Sequence, residues 1–169
     1  KSSTISDLAL VNGYLHVGGN AIEEFPITIG QSNAGMNDAF AARFNATTGQ
    51  NIWARLIGGT GGDGGDLTLD ISSDAFFTSF VTESTDIQIT QNAIQSTGYD
   101  TPDMYIAKLD LTNGSYVWSS YLNSPDPEYS TTILYDDNSI YNYGFSYSEP
   151  NAEFPITVGA YSTLNGNKN

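Results

Sequence analysis

The feature that most constrains this chain is that it repeats itself. Asp38-Ala39-Phe40-Ala41-Ala42-Arg43-Phe44 lies over Asp103-Met104-Tyr105-Ile106-Ala107-Lys108-Leu109 at an offset of 65 residues, and Trp53 lies over Trp118 at the same offset. Phe25-Pro26-Ile27-Thr28 recurs as Ile87-Gln88-Ile89-Thr90 and again as Phe154-Pro155-Ile156-Thr157, offset by 62 and then 67 residues. A drift of a few residues per copy places the insertions in loops, as expected of a repeated supersecondary unit.

Each copy reads as short strands with period-two alternation. The first copy gives strands near 7–11, 14–18, 39–44 and 51–57, and the second gives 67–71, 75–81, 104–109 and 116–122. The third offers 132–135 and 140–145. Phe40, Ala42 and Phe44 share one face of their strand, so each sheet carries an apolar face that one copy cannot bury by itself. Radial stacking of four-stranded antiparallel sheets solves that problem. The expected fold is therefore all-β: about two and a half blades of a β-propeller, incomplete as a closed ring. The expected units are 1–61, 62–126 and a partial third at 127–169. Asn12-Gly13 and Asp137-Asn138 supply two-residue hairpin turns.

Three linked motifs resemble the bacterial and archaeal β-propeller repeat often called the seven-bladed propeller repeat. They are Leu56-Ile57-Gly58-Gly59-Thr60-Gly61-Gly62-Asp63, the run at 154–160 beginning Phe154-Pro155-Ile156-Thr157, and Asp38-Ala39-Phe40-Ala41-Ala42-Arg43-Phe44. The resemblance implies a secreted or cell-surface protein and carries no common catalytic residues. Thr48-Gly49-Gln50-Asn51-Ile52-Trp53 also resembles the Thr-Gly-x-x-x-Trp hairpin of quinoprotein-type propellers, in which the Trp docks one blade onto the next. On both readings Trp53, Trp118, Phe40 and Tyr105 are blade-docking core, and the two Trp are expected in equivalent buried sites.

Charge narrows the partners. With 5 Lys and Arg against 19 Asp and Glu, the net charge of -14 repels nucleic acid and anionic membranes. No apolar run approaches the roughly 18 residues of a membrane span. The absence of Cys removes thiolate nucleophiles, disulfides and thiolate metal sites. The chain opens at Lys1 without the pattern of a signal peptide and reads as mature or excised.

His16, the single histidine, aligns with Thr78 and Asn142 and reads as a polar strand position rather than part of a triad. The run from Gly58 to Asp66 could cradle a phosphate, but no helix follows it and it has no Lys. Calcium is the better candidate, on Asp63, Asp66 and Asp70 with Asp74 beyond, because hard oxygen ligands on a flexible turn suit that ion. The structural alternative is a tight crossover that needs positive φ. Paired carboxylates occur at Glu23-Glu24, Asp63 with Asp66, Asp100 with Asp103, Asp126 with Glu128, and Asp136-Asp137, and most of them read as solvated loop charges. Asn45 and Asn113 head glycosylation sequons in the hairpins between strands three and four.

These observations point to a non-catalytic extracellular or cell-surface propeller segment for adhesion, assembly or glycan binding, with Tyr99, Tyr129, Tyr147 and Tyr161 as aromatic contacts. The alternative is part of a quinoprotein-like or polysaccharide-processing enzyme whose active site lies on other blades. The expected partners are neighbouring blades or chains of a larger assembly, and glycans. The run 165–169 aligns with the segment before Asp38, so strands three and four of the third copy are expected from a continuation of the polypeptide or a neighbouring chain.

Overall fold

A computed structural model describes residues 3–22, 25–30, 35–147 and 154–155. The third Phe-Pro-Ile-Thr element enters that set only at Phe154 and Pro155, and Glu23, Glu24, Tyr161 and the run 165–169 lie outside it. The described residues form strands and loops with no helix.

Strands β1 (Thr4–Val11), β2 (Tyr14–Ala21), β3 (Asp38–Asn45) and β4 (Asn51–Ile57) form one antiparallel sheet in chain order. Strands β5 (Asp63–Ile71), β6 (Ala75–Thr82), β7 (Asp103–Asp110) and β8 (Tyr116–Leu122) form a second with the same order. Strands β9 (Glu128–Asp136) and β10 (Ser139–Ser146) pair as a third sheet of two strands. Asn12 and Gly13 turn at φ 50 and 79, and Asp137 and Asn138 at 43 and 61, the double positive φ of the tight hairpin turn.

The first strands begin earlier than alternation suggests, β5 at Asp63 and β9 at Glu128. Register shifts between Asp63 and Thr68 break the period of two that a sequence pattern relies on. Register also corrects the alignment of His16. Val17 pairs with Ala42 and Thr78 with Ala107, so Val17 matches Thr78, while His16 matches Phe77. Counting from the hairpin turns, Tyr141 takes that place in the third sheet.

These matched positions point forward, toward the next sheet, while their sequence neighbours point back. His16, Ala39, Ala41 and Trp53 of the first sheet meet Leu67, Phe76, Tyr105 and Leu109 of the second in one apolar cluster. Behind the second sheet's other face, Phe77, Ile106 and Ala75 pack with Ile133, Tyr135 and Ile140. Phe77 stacks on Tyr135 at 4.4 Å between ring centroids. Gly18 faces forward at this seam because a Cβ there would lie 2.5 Å from Leu67.

The recurring Phe-Pro-Ile-Thr element has a double use. Phe25 and Ile27 cover the back face of the first sheet, and Ile87 that of the second. Its Thr guards the outer edge: Thr28 Oγ1 accepts the Ala54 N–H at 2.8 Å, and Thr90 Oγ1 the Ser119 N–H at 3.0 Å. Each fourth strand is thereby capped rather than left open to pairing.

The two Trp residues differ in environment, contrary to the expected equivalence. Trp53 is 2% exposed and donates its indole N–H to Leu111 O at 2.9 Å. Trp118 is half-buried and donates to Asn92 O in the connection between β6 and β7. The cause is the cover. The β7–β8 turn folds over Trp53, with Gly114 at φ 71 so close that a Cβ would lie 2.7 Å from the ring, and among the described residues no third-sheet turn stands over Trp118. Trp53→Ala is therefore expected to cost about 3–5 kcal/mol and Trp118→Ala less than half as much, read as thermal unfolding midpoints. Equal losses would contradict the assigned packing.

Candidate functional site

Several buried polar residues of this fold stand at the seams between sheets. Asp7 Oδ2 accepts the N–H of Leu69 at 3.0 Å, and Thr68 Oγ1 accepts that of Ile133 at 3.1 Å. Asp7 pairs with Gly18 and Thr68 with Ser79, which are matched positions, so one device hangs each first strand on the first strand before it. Asp70 adds a second tie, its Oδ2 accepting the Tyr135 N–H at 2.7 Å.

Asp63 and Glu128 open β5 and β9, buried, and each takes the N–H of the residue four positions earlier. Gly59 donates to Asp63 at 2.8 Å, and Ser124 to Glu128 at 2.8 Å. Thr82 and Ser84 hydroxyls complete Asp63, and Ser124 and Ser146 hydroxyls complete Glu128. Beside each stands the acid that opens a third strand: Asp38 close to Asp63 across Gly58, and Asp103 close enough to Glu128 to feel its charge.

The buried carboxylate pairs are thus Asp38 with Asp63 and Asp103 with Glu128, not the sequence-adjacent Asp63 with Asp66 or Asp100 with Asp103. Both recur at the offset of 65 residues, the one signal that could have found them. At the second seam Asn123 replaces Gly58 and donates its amide to Asp103 Oδ2 at 3.0 Å. Gly58 leaves no room for such a side chain, since a Cβ there would press on the Asp38 carboxylate.

The calcium candidates part company. The Asp63 carboxylate accepts from three donors of its own chain, Asp70 accepts from Tyr135, and Asp66 is exposed at φ 52. Among the described residues no three His, Asp or Glu side chains gather so as to hold a metal ion. The glycine run is a crossover whose N–H groups do point at oxygens, but those oxygens belong to the protein. Thr60 donates to Asp86 at 2.8 Å and Gly61 to Ser84 at 2.9 Å. Gly61 is required there, because a Cβ would lie 2.6 Å from the Glu83 backbone.

Asp66 does line an open cleft of about 430 Å³ with Ser6, Leu67, Ser130 and Thr131, where the first strands of all three sheets converge. Asn45 and Asn113 sit in the outer hairpins as expected. The Asn45 side chain accepts the N–H groups of Thr47 and Thr48, and Asn113 accepts that of Ser115. Phe40 and Tyr105 lie buried on matched back faces, and the Tyr105 hydroxyl donates to Gln88 O at 2.5 Å. A feature that strand spacing did not flag is an exposed aromatic row on β10: Tyr141, Tyr143 and Phe145, continued by Tyr147.

No protein-family model matches this chain, and no curated protein matches it.

Burial pushes the Asp103 carboxyl up to about 6 against the hydrogen bonds of Asn123 and Tyr99, and the Glu128 charge adds to the rise. Burial likewise raises Asp63. A raised native pKa means that the folded state holds a proton that the unfolded chain has released. Stability from Asp103 therefore falls as pH rises from about 4 to about 6. His16 acts in the opposite sense, because burial and then the Arg43 charge lower its pKa and it resists protonation below its ordinary value of 6.5. Asp103→Asn keeps an oxygen for Tyr99 and Asn123 but removes the ionisation. Its unfolding midpoint should exceed wild type at pH 7, by up to about 3 kcal/mol of stability, and the two should converge near pH 4. Parallel pH curves would remove Asp103 from this account.

Proposed function

We propose that this chain is a segment of a β-propeller of secreted or cell-surface type, and that it works by presenting surfaces for adhesion, assembly or glycan binding rather than by catalysis. In this reading the sheets are blades, and the cleft lined by Ser6, Asp66 and Thr131 lies on the side of the propeller axis. The observation that carries it is the seam, built twice from matched residues: Asp7 to Leu69, then Thr68 to Ile133. Stacking that repeats by rule is what radial repetition requires. The motif likeness to secreted and surface repeats supports the same conclusion.

The non-catalytic half of the reading rests on how the acids are used. General acid–base or glycosidase chemistry needs carboxylates that face a substrate in one cleft. Here Asp63 and Glu128 hold backbone N–H groups and hydroxyls of their own chain, while the open aromatic surface of β10 suits binding. Incubating the chain with a panel of oligosaccharides and polysaccharides, and following both retention and release of reducing ends, tests this. Retention weakened by Tyr147→Ala with no reducing ends released is the expected result. Release that is lost in Asp103→Asn would overturn the proposal.

A further inference from the structure

We infer that His16 makes the seam between the first and second sheets acid-labile, so that a fall in pH loosens this joint while the seam between the second and third sheets stays closed.

The geometry of one row of side chains carries the argument. Ala9, His16, Arg43 and Trp53 stand opposite one another across β1 to β4, on the face that meets the second sheet. His16 is 1% exposed, and neither of its ring nitrogens has a hydrogen-bond partner. Its ring lies against Phe76, with 6.4 Å between centroids. The matched row of the second sheet is Phe77, Lys108 and Trp118, and there Lys108 Nζ lies 5.4 Å from the centre of the Phe77 ring. A Phe ring beside a cation attracts it at every pH. An imidazole in the same place is neutral only until it takes a proton, and it then becomes a second cation beside Arg43, buried and without an acceptor.

The groups around His16 do not supply that acceptor. On β1 the acid of this face is Asp7, whose oxygens already accept the N–H groups of Leu8 and Leu69. From β3 and β4 come Arg43 and Arg55, both cations. Tyr14, two residues along β2, has the Arg43 guanidinium 3.8 Å from the centre of its ring. The second sheet brings Leu69 and Ile71 of β5, Phe76 of β6 and Leu109 of β7, none of them charged, with Tyr116 of β8 beneath Arg55. The acids at its hairpin ends, Asp74 and Asp110, hold Ser72 and Thr112, and Asp63 stands at the crossover end among its own donors. Burial first, and then the Arg43 charge, hold the His16 pKa below 6.5, against a weaker opposing effect of the Ala9 backbone. With a lowered native pKa, the open seam binds a proton that the closed seam refuses, so closure is fully favoured above 6.5 and weakens as pH falls below it. The raised pKa of Asp63 acts in the opposite direction, and replacing His16 separates the two.

Native-state hydrogen exchange followed by NMR on the 169-residue chain reads both seams in one molecule. The Leu69 N–H is tied to Asp7 across the first seam and the Ile133 N–H to Thr68 across the second. Leu69 protection, corrected for intrinsic exchange, should fall between about pH 7 and about pH 5 by up to about tenfold per pH unit, while Ile133 protection holds. His16→Phe, which copies Phe77, and His16→Gln, which is smaller and cannot charge, should each remove the fall at Leu69. As the one histidine of the chain, His16 also gives a single imidazole signal, which in the folded chain should titrate below 6.5. Leu69 protection that is flat in pH, a fall that persists in the variants, an equal fall at Ile133, or a folded-state His16 titration at or above 6.5 would overturn the inference.

Discussion

A four-stranded sheet with two apolar faces cannot stand alone or at the end of a pair, and the architecture follows from that constraint. The second sheet has Phe76, Phe80, Tyr105 and Tyr121 on one side and Phe77 and Ile106 on the other, all buried. Each such side chain contributes about 2–3 kcal/mol on leaving water, so the sheet is stable only as the middle layer of a stack. Small residues set how closely the layers approach. Gly18 makes space for Leu67, and Ala39 and Ala41 keep β3 flat enough to meet β5.

Stacking brings a second problem, because the chain must cross from the outer strand of one sheet to the first strand of the next without stranding its backbone N–H groups. Buried carboxylates solve it. Asp63 and Glu128 each gather the crossover N–H and neighbouring hydroxyls, at the cost of holding a second acid nearby. Burial raises the pKa of Asp103 and of Asp63, and a neighbouring charge, Glu128 for the first and Asp86 for the second, adds to the rise. The two seams fill the space between the acids differently: one has a glycine that lets Asp38 close in, the other Asn123, whose amide donates to Asp103. A pair of buried acids is thus a structural joint here, although in a cleft the same pair would suggest catalysis.

The repeat made most of this fold legible. The eight strands of the first two copies, the hairpin turns and the faces of Phe40 and Tyr105 follow from an offset and a period of two. What the pattern could not supply was the start of each first strand, because the bulges in β5 disrupt alternation, or the place of His16, because a one-residue slip exchanges faces. Closeness in sequence does not reveal the acid pairs, because Asp103 meets Glu128 across a crossover. The glycine run stands out by composition, but spacing alone cannot distinguish N–H groups waiting for a ligand from N–H groups already serving Asp86 and Ser84.

The direction of stacking is itself encoded in side chains, and the few cations show how. Of the 5 Lys and Arg in this acidic chain, Arg43 and Arg55 both reach from the first sheet into the outer hairpin of the second. Arg43 donates to Leu111 O at 2.7 Å and Arg55 to Gly114 O at 2.6 Å, with the Arg55 guanidinium 4.0 Å from the centre of the Tyr116 ring. The forward side of a sheet therefore carries Trp and cations, and the back side carries a turn whose carbonyls and tyrosine receive them. Neither side can bind its own kind: two forward sides would bring guanidinium against guanidinium, and two turns would leave buried carbonyls without donors. At the next seam Lys108 lies over Phe77 and Ser120 stands where Arg55 would be, so this polarity is strongest between the first and second sheets. A joint that is polar in this sense can be extended only in one direction, which is how a chain of near-identical layers avoids pairing face to face.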